Sequence, residues 1–290
     1  MSYALIIEQL LNGIQFGVML FLMAAGLSLV FGIMNMINLA HGSLYMAGAF
    51  LAAALVQITN NFFLSVILAV PATGLLGALI ELSVLRSFYA RTHLDQVLVT
   101  FGLILVLNEV TRLIWGSVPV PLPLPPILAS SVEILPGISY PSFRLAILAV
   151  GAAVAATLYV VIIHTRAGMW VRAGASNRTM TSAMGINVNL VFSSVFAIGA
   201  ALAGLAGIMA GPIFAVQVGM GEPILILAFV VTVIGGIGSI RGAFLAAILI
   251  GIVDTFGRVL LPPALGSMVI FILMALILAW RPQGLFPLQS

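Results

Sequence analysis

"LLNGIQFGVMLFLMAAGLSLVFGI", residues 10–33, contains no charged side chain. A helix of about 20 such residues crosses roughly 30 Å of hydrocarbon with every backbone N–H and C=O bonded internally. Comparable runs recur at 37–58, 62–85, 96–116, 143–164, 188–212, 223–240, 242–261 and 266–280. The chain is 63% hydrophobic and 6% charged, with a mean hydropathy of +1.30, too little polar surface to clothe a water-soluble core. The expected fold is all-α: one polytopic transmembrane helical bundle of about eight or nine spans over residues 1–290, with no soluble domain. Glycine-rich segments are read as broken or re-entrant. No basic residue precedes Arg86 and Glu8 stands near the start, so the first run is expected to be a retained span and not a cleaved leader.

All ten basic residues are arginines, and there is no cysteine. Thiol catalysis, disulfides and cysteine metal sites are excluded, and without lysine there is no G-x-x-x-x-G-K-[ST] phosphate loop. His41, His93 and His164 are scattered, with no H-E-x-x-H or G-x-S-x-G, so neither a catalytic residue nor a metal site is expected. The charge of +3 is dispersed between apolar runs and forms no nucleic-acid face. Its natural partner is the lipid bilayer.

The arginines orient the chain. Arg86 and Arg91 flank one loop, Arg166, Arg172 and Arg178 fill another, and Arg281 ends the last run. Placing these in the cytoplasm puts the N-terminus outside and the C-terminus inside for nine crossings. Arg112 and Arg144 then fall near the outer face. Glu109 stands three residues before Arg112 and can neutralise it, whereas Arg144 has no such neighbour. Glu81, Glu109, Asp254 and Arg258 lie within or near spans and need partners or an aqueous cavity. Asp254 and Arg258, four residues apart, are read as a mutually satisfied pair on one helical face.

Residues 117–142, "SVPVPLPLPPILASSVEILPGISYPS", hold half of the chain's 14 prolines. They are expected to form an extended, polyproline-like loop on the outer surface, a rigid connector or a docking surface for an external partner. "GSLYMAGAFLAAAL" (42–55) echoes "GSIRGAFLAAILIG" (238–251). Duplicated halves would produce such an echo, and so would shared small-residue helix packing. In "GIMNMINLAHGSLYMAGAF" (32–50), Asn35, Asn38, His41 and Ser43 interrupt the hydrophobicity, either as helix-end caps, with Asn38 as an N-cap, or as the lining of a route or gate. The glycines of "FVVTVIGGIGSIRGAF" (229–244), including Gly235, Gly236 and Gly238, are read as close helix packing or a sharp re-entrant turn.

The basic island "TRAGMWVRAGASNRTMTSAMGINVN" (165–189) is too long for a tight turn. Its apolar positions Met169, Val171, Met180, Met184 and Ile186 allow a short amphipathic helix flanked by Gly168, Gly174 and Gly185, and exposed apolar residues call for something that covers them. The pattern resembles the cytoplasmic coupling segment of the permeases of branched-chain amino acid ABC transporters, of the H type. The matching positions are Thr165, Gly168, Arg172, Ala173, Gly185, Ile186 and Asn187. "NLAHGSLYMAGAF" (38–50) is similar to the family's early signature and "GGIGSIRGAF" (235–244) to its late one.

The resemblance covers nearly the whole chain. It implies an inner-membrane importer subunit that translocates branched-chain or similar hydrophobic amino acids by alternating access, through a path or gate at Asn35, Asn38, His41, Ser43, Gly235, Gly236 and Gly238. It also implies partners: two ATP-binding subunits gripping residues 165–187, a second homologous permease, expected to be a different chain, and a periplasmic substrate-binding protein. The chain needs no cofactor of its own, since ATP is bound by partner subunits. Two departures stand out. Ser176, Asn177 and Thr181 replace residues usual in the coupling segment, and Leu227 stands where relatives commonly carry Lys. The competing readings are an ion-coupled carrier working alone, a membrane scaffold, and a permease for amides, urea or aromatic acids.

Overall fold

The structure, a computed structural model, describes residues 3–286. Its helices are α1 (Tyr3–Met34), α2 (His41–Thr59), α3 (Phe62–Ser83), α4 (His93–Trp115), α5 (Ser142–His164), the short α6 (Arg166–Ser176) and α7 (Arg178–Ala183), then α8 (Val188–Phe214), α9 (Gly221–Gly235), α10 (Ile240–Leu260) and α11 (Pro263–Trp280). Eight are long and apolar enough to span a membrane. α9 is not: its 15 residues reach about 22 Å at 1.5 Å per residue. Polar residues set the starts. The side chains of Asn61, Thr165, Asn187 and Ser239 each accept a backbone N–H in the first turn of α3, α6, α8 and α10, and Thr92 with Asp95 forms a capping box on α4.

Glycine decides how these helices pack. α1 runs antiparallel to α10, where a Cβ on Gly17 would lie 2.7 Å from the Ala247 carbonyl oxygen, and antiparallel to α8, where one on Gly26 would lie 2.6 Å from that of Gly199. Such distances leave no room for a side chain, so backbones touch and dispersion replaces the hydrophobic force that lipid cannot supply. α3 packs antiparallel on α8 through Gly77 and Ala200. α1, α2 and α8 form the buried centre, whereas α4, α5 and α11 present most of their surface outward.

Two crossings are broken. After α1 ends at Met34, residues 35–40 turn back, with Asn35 at φ 50°, and α2 begins with the His41 ring against Gly26. That is about 12 Å short of the end of α1, counting eight residues of helix. After α8, residues 215–220 turn back in the same way, with Ala215 at φ 57°. α9 then begins where Gly221 meets Gly42, a Cβ on Gly42 lying 2.7 Å from the Gly221 carbonyl oxygen. α2 and α9 thus start against each other inside the bundle and run apart to opposite faces.

The order of span, half-helix, span, span in α1–α4 recurs in α8–α11 with every direction reversed. This inverted repeat is not the one the 42–55 and 238–251 echo proposes. That echo aligns the start of α2 with the start of α10, which are not equivalent elements; it reflects small-residue packing alone.

The proline-rich segment is only half as expected. Residues 117–125 are extended, but a short 3₁₀ turn (Pro126–Leu128) follows, and then an antiparallel hairpin of β1 (Ser131–Leu135) and β2 (Ile138–Pro141) turned by Gly137 at φ 80°. The extended part pairs with the second break: the Val120 N–H donates to the Val216 carbonyl at 2.8 Å, and the Val120 carbonyl accepts from the Val216 N–H at 3.0 Å. Prolines flanking Val120 cannot donate, so the pairing stops there.

Gly17→Val should separate α1 from α10. The expected cost is at least the ~1–3 kcal/mol of an overpacked core, seen as a lower unfolding temperature of the detergent-purified chain.

Candidate functional site

A cavity of about 750 Å³ opens between the first half of α1, the last half of α10 and the break between α8 and α9. It lies at the end of the bundle away from α6 and α7. Tyr45, Gly219, Met220 and Glu222, near the starts of α2 and α9, line it. Its charged residues are Arg144, Glu222, Asp254 and Arg258. Each is tied locally. Asn108 Nδ2 donates to Glu222 Oε1 at 2.6 Å and Arg258 Nε to Asp254 Oδ2 at 2.8 Å, as the spacing of Asp254 and Arg258 predicts. Arg144 Nη1 and the Tyr140 hydroxyl both donate to Asn12 Oδ1. Burial pushes the Tyr140 phenol above its ordinary pKa, against the opposing pull of Arg144, so it stays a neutral donor. Leu227, the departure from the family pattern, lies in this wall.

Beneath the cavity lie the polar residues of the first break. Asn38, His41 and Ser43 are all buried. Asn38 is not the expected cap: Ala40 occupies the N-cap of α2, and no side chain caps it. Both side-chain polar atoms of Asn38 and both ring nitrogens of His41 lack a hydrogen-bond partner, although the His41 ring interacts with the Met23 backbone. The break is held from outside, with the Ile37 N–H donating to Gln96 Oε1 on α4 at 3.3 Å. Gly235, Gly236 and Gly238 form the tight turn between α9 and α10, with Gly236 at φ 101° and Gly238 at φ 79°. Gly238 packs on Gly32, so the early and late motifs meet at the end of α1.

The basic island folds as two helices, not the single one expected, because Asn177 ends α6 and its side chain caps α7, accepting from the Met180 N–H at 2.9 Å. Most of the residues that match the family pattern build this corner. Thr165 Oγ1 accepts from the Gly168 N–H at 3.2 Å, Gly168 sits against the Ile162 carbonyl, Ala173 accepts from the Asn177 N–H at 2.9 Å, Gly185 turns at φ 83°, Ile186 follows it, and Asn187 caps α8. Arg172 is solvent-exposed but not idle, since its Nη1 donates to the Ile162 carbonyl at the end of α5. A cation there complements the helix dipole.

Among the exposed residues of this corner are large apolar ones, Met169, Trp170, Met180 and Met184, the last at 78%, beside exposed polar ones such as Arg166, Thr179 and Ser182. Arg178, at the start of α7, donates to the Met34 carbonyl at 2.6 Å and stacks 4.7 Å over the Phe192 ring. The island therefore touches the residue at which the first break begins.

A buried carboxylate anchors the same end. Glu81 accepts from Arg86 at 3.2 Å, the Tyr89 hydroxyl at 2.6 Å and the Ser193 hydroxyl at 2.7 Å, joining α3 to α8. Burial first, and then Glu81, pushes the Tyr89 phenol well above its ordinary pKa. Glu109 and Arg112 pair at 2.9 Å as expected.

Sequence reasoning did not find the cavity. Asn12, Arg144 and Glu222 are far apart in the chain and match no motif, and the one signal was Arg144 standing on the wrong side for topology. The basic loop was found, but not the contact from Arg178 to Met34.

The family described as the permease component of branched-chain amino acid transport systems matches residues 9–278. The high-affinity branched-chain amino acid transport system permease protein BraD of Pseudomonas aeruginosa is 31% identical over 291 residues, covering 96% of this chain and 95% of that protein. The corresponding permease protein LivH of Escherichia coli is 29% identical over 293 residues, covering 96% and 94%. A probable branched-chain amino acid transport permease protein LivH of Methanocaldococcus jannaschii is 26% identical over 262 residues, covering 86% and 80%. No solved structure matches the chain.

Tyr89→Phe deletes one hydrogen bond to the buried Glu81 carboxylate and is expected to cost about 1.5–3 kcal/mol. Glu81→Ala, which strips Arg86, Tyr89 and Ser193 together, should lower the unfolding temperature further. Thermal unfolding of the purified variants checks the order.

Proposed function

Because the chain belongs to the branched-chain amino acid transport permease family, we propose that it forms half of the membrane pore of an ATP-driven importer for branched-chain or similar hydrophobic amino acids. α6 and α7 face the cytoplasm, the N-terminus is periplasmic and the C-terminus cytoplasmic, a reading that the arginines of the short loops support. The chain carries no catalysis of its own. Two ATP-binding subunits bind α6 and α7, a second, homologous permease completes the pore, and a periplasmic binding protein delivers the cargo over the cavity.

The observation that carries this reading is the α6–α7 face. Its exposed Met169, Trp170, Met180 and Met184 form a flexible apolar patch suited to a partner's groove, on helices locked to the bundle at Ile162 and Met34. Thr165, Gly168, Arg172, Ala173, Gly185, Ile186 and Asn187 hold that patch rigid, so closure of the ATPase pair moves α6 and α7 as one body. Arg178 passes the movement to the end of α1. Asn35, Asn38, His41 and Ser43, with the turn at Gly235, Gly236 and Gly238, form the gate. In this state α2 and α9 close it by glycine contact, and Asn38 and His41 stand ready to line the path when the two half-helices part. Half-helices that start at mid-bundle are the form taken by substrate routes in other transporters. An ion-coupled carrier working alone would leave the apolar patch bare.

The test is to purify the tagged chain gently from its native membrane and identify what accompanies it by mass spectrometry. Two ATP-binding subunits and a second permease are expected. Met184→Asp should release the ATP-binding subunits and abolish uptake, while the unfolding free energy of the permease stays within about 0.5 kcal/mol of the parent, as for most surface substitutions. A chain recovered alone that drives uptake in ATP-free vesicles contradicts the proposal.

A further inference from the structure

The cavity wall holds an acceptor with nothing to accept. Asp254 lines the cavity with a side chain only 5% exposed. Its Oδ2 is bonded to Arg258, but its Oδ1 is buried and has no hydrogen-bond partner. Such an oxygen costs stability, and its retention in an otherwise well-paired bundle needs an explanation. An ionisable group at membrane depth is a functional residue by default. A partial turn of the carboxylate about its last torsion would bring Oδ1 toward the cavity that Asp254 lines, at the expense of the Arg258 hydrogen bond.

The rest of the cavity narrows the ligand. Its charged residues are two carboxylates and two guanidiniums, a balance that favours neither a free anion nor a free cation. Glu222 is engaged by Asn108 and Arg258 by Asp254. Arg144 is held by neutral partners, the Asn12 amide and the neighbouring Tyr140 hydroxyl, and no carboxylate lies within ion-pair distance of it among the described residues. The cavity therefore offers a buried unpaired acceptor at Asp254, and a cation at Arg144 and a carboxylate at Glu222 each held only by neutral partners, on walls completed by apolar Phe16, Ile224 and Leu227. Its volume of about 750 Å³ falls in the range usual for small-molecule sites.

We propose that Asp254 and Arg144 form a subsite for the two charged ends of a free amino acid. The Asp254 carboxylate accepts from the ammonium, Arg144 donates to the carboxylate, and an aliphatic side chain lies along the apolar wall. This inference rests on the reading of the chain as an amino acid importer.

The test uses the assembled importer in proteoliposomes with its binding protein and labelled leucine. Asp254→Asn keeps the shape and is expected to lower leucine uptake about tenfold or more, the worth of one charged hydrogen bond, and Arg144→Gln to do likewise. Arg258→Gln, which retains a donor for Asp254, should keep most of the uptake. Saturation-transfer NMR on the unmutated complex removes any doubt about folding: leucine should show contact, while 4-methylpentanoate, lacking the ammonium, and isopentylamine, lacking the carboxylate, should show little. Wild-type uptake by Asp254→Asn overturns the subsite, as does equal contact by all three ligands. Equal loss in Asp254→Asn and Arg258→Gln also overturns it, leaving Asp254 as a counter-ion for Arg258. No leucine uptake by the unmutated complex overturns the importer reading and the subsite with it.

Discussion

A backbone that leaves its helix inside a bilayer must be enclosed by protein, because lipid cannot bond its N–H and C=O groups. Both breaks in this bundle meet that constraint by the same means. Glycines on neighbouring helices remove the side chains that would hold the backbones apart, so that Gly26 meets Gly199, Gly42 meets Gly221, and Gly32 meets Gly238. Residues 35–40 are tied to α1 through the Asn35 N–H and to α4 through the Ile37 N–H, and residues 215–220 are clasped from outside by the strand-like pairing at Val120. Everything else follows from that enclosure. The half-helices begin against each other at depth, a cavity is left above them, and the unpaired polar atoms of Asn38 and His41 are left below.

The enclosure also links the two ends of the molecule through packed groups. Arg178 connects α7 to the last carbonyl of α1, the first break follows that carbonyl, and the break delivers Gly42 to Gly221 at the base of the cavity. Thus a displacement of α6 and α7 cannot occur without moving the residue that starts the break. In the proposed importer this is how closure of the ATPase pair reaches the gate, by rigid elements with two arrangements and not by a graded deformation of the core.

Much of this was legible in the sequence. Apolar runs fell on the eight membrane-length helices and on the shorter α9, although the first run began seven residues into α1 and another overran α9 by five, because length and hydropathy are local properties. The ion pairs Glu109 with Arg112 and Asp254 with Arg258 were legible for the same reason, being one helical turn apart. The coupling corner was found as a motif, but the work of its residues was not: Arg172 reads as an exposed contact and proves to cap α5. Asn38 reads as a cap and proves unpaired, since only the path of residues 35–40 decides whether it meets water or protein. The cavity could not be read, because Asn12, Arg144 and Asp254 come together only through the antiparallel packing of α1 on α10 and the alignment of α5 beside it.

The central claim is that the contact of the two half-helices seals the cavity from the polar residues beneath. The chain has no native cysteine, so single cysteines report without background. The most direct measurement is the labelling rate of Thr255→Cys, in the cavity wall, and of Asn38→Cys, before the start of α2 and below the contact, with a membrane-impermeant thiol reagent added at the cavity face of the assembled transporter without ATP. Rapid labelling of position 255 and protection of position 38 are expected. Equal labelling of both positions would contradict the claim.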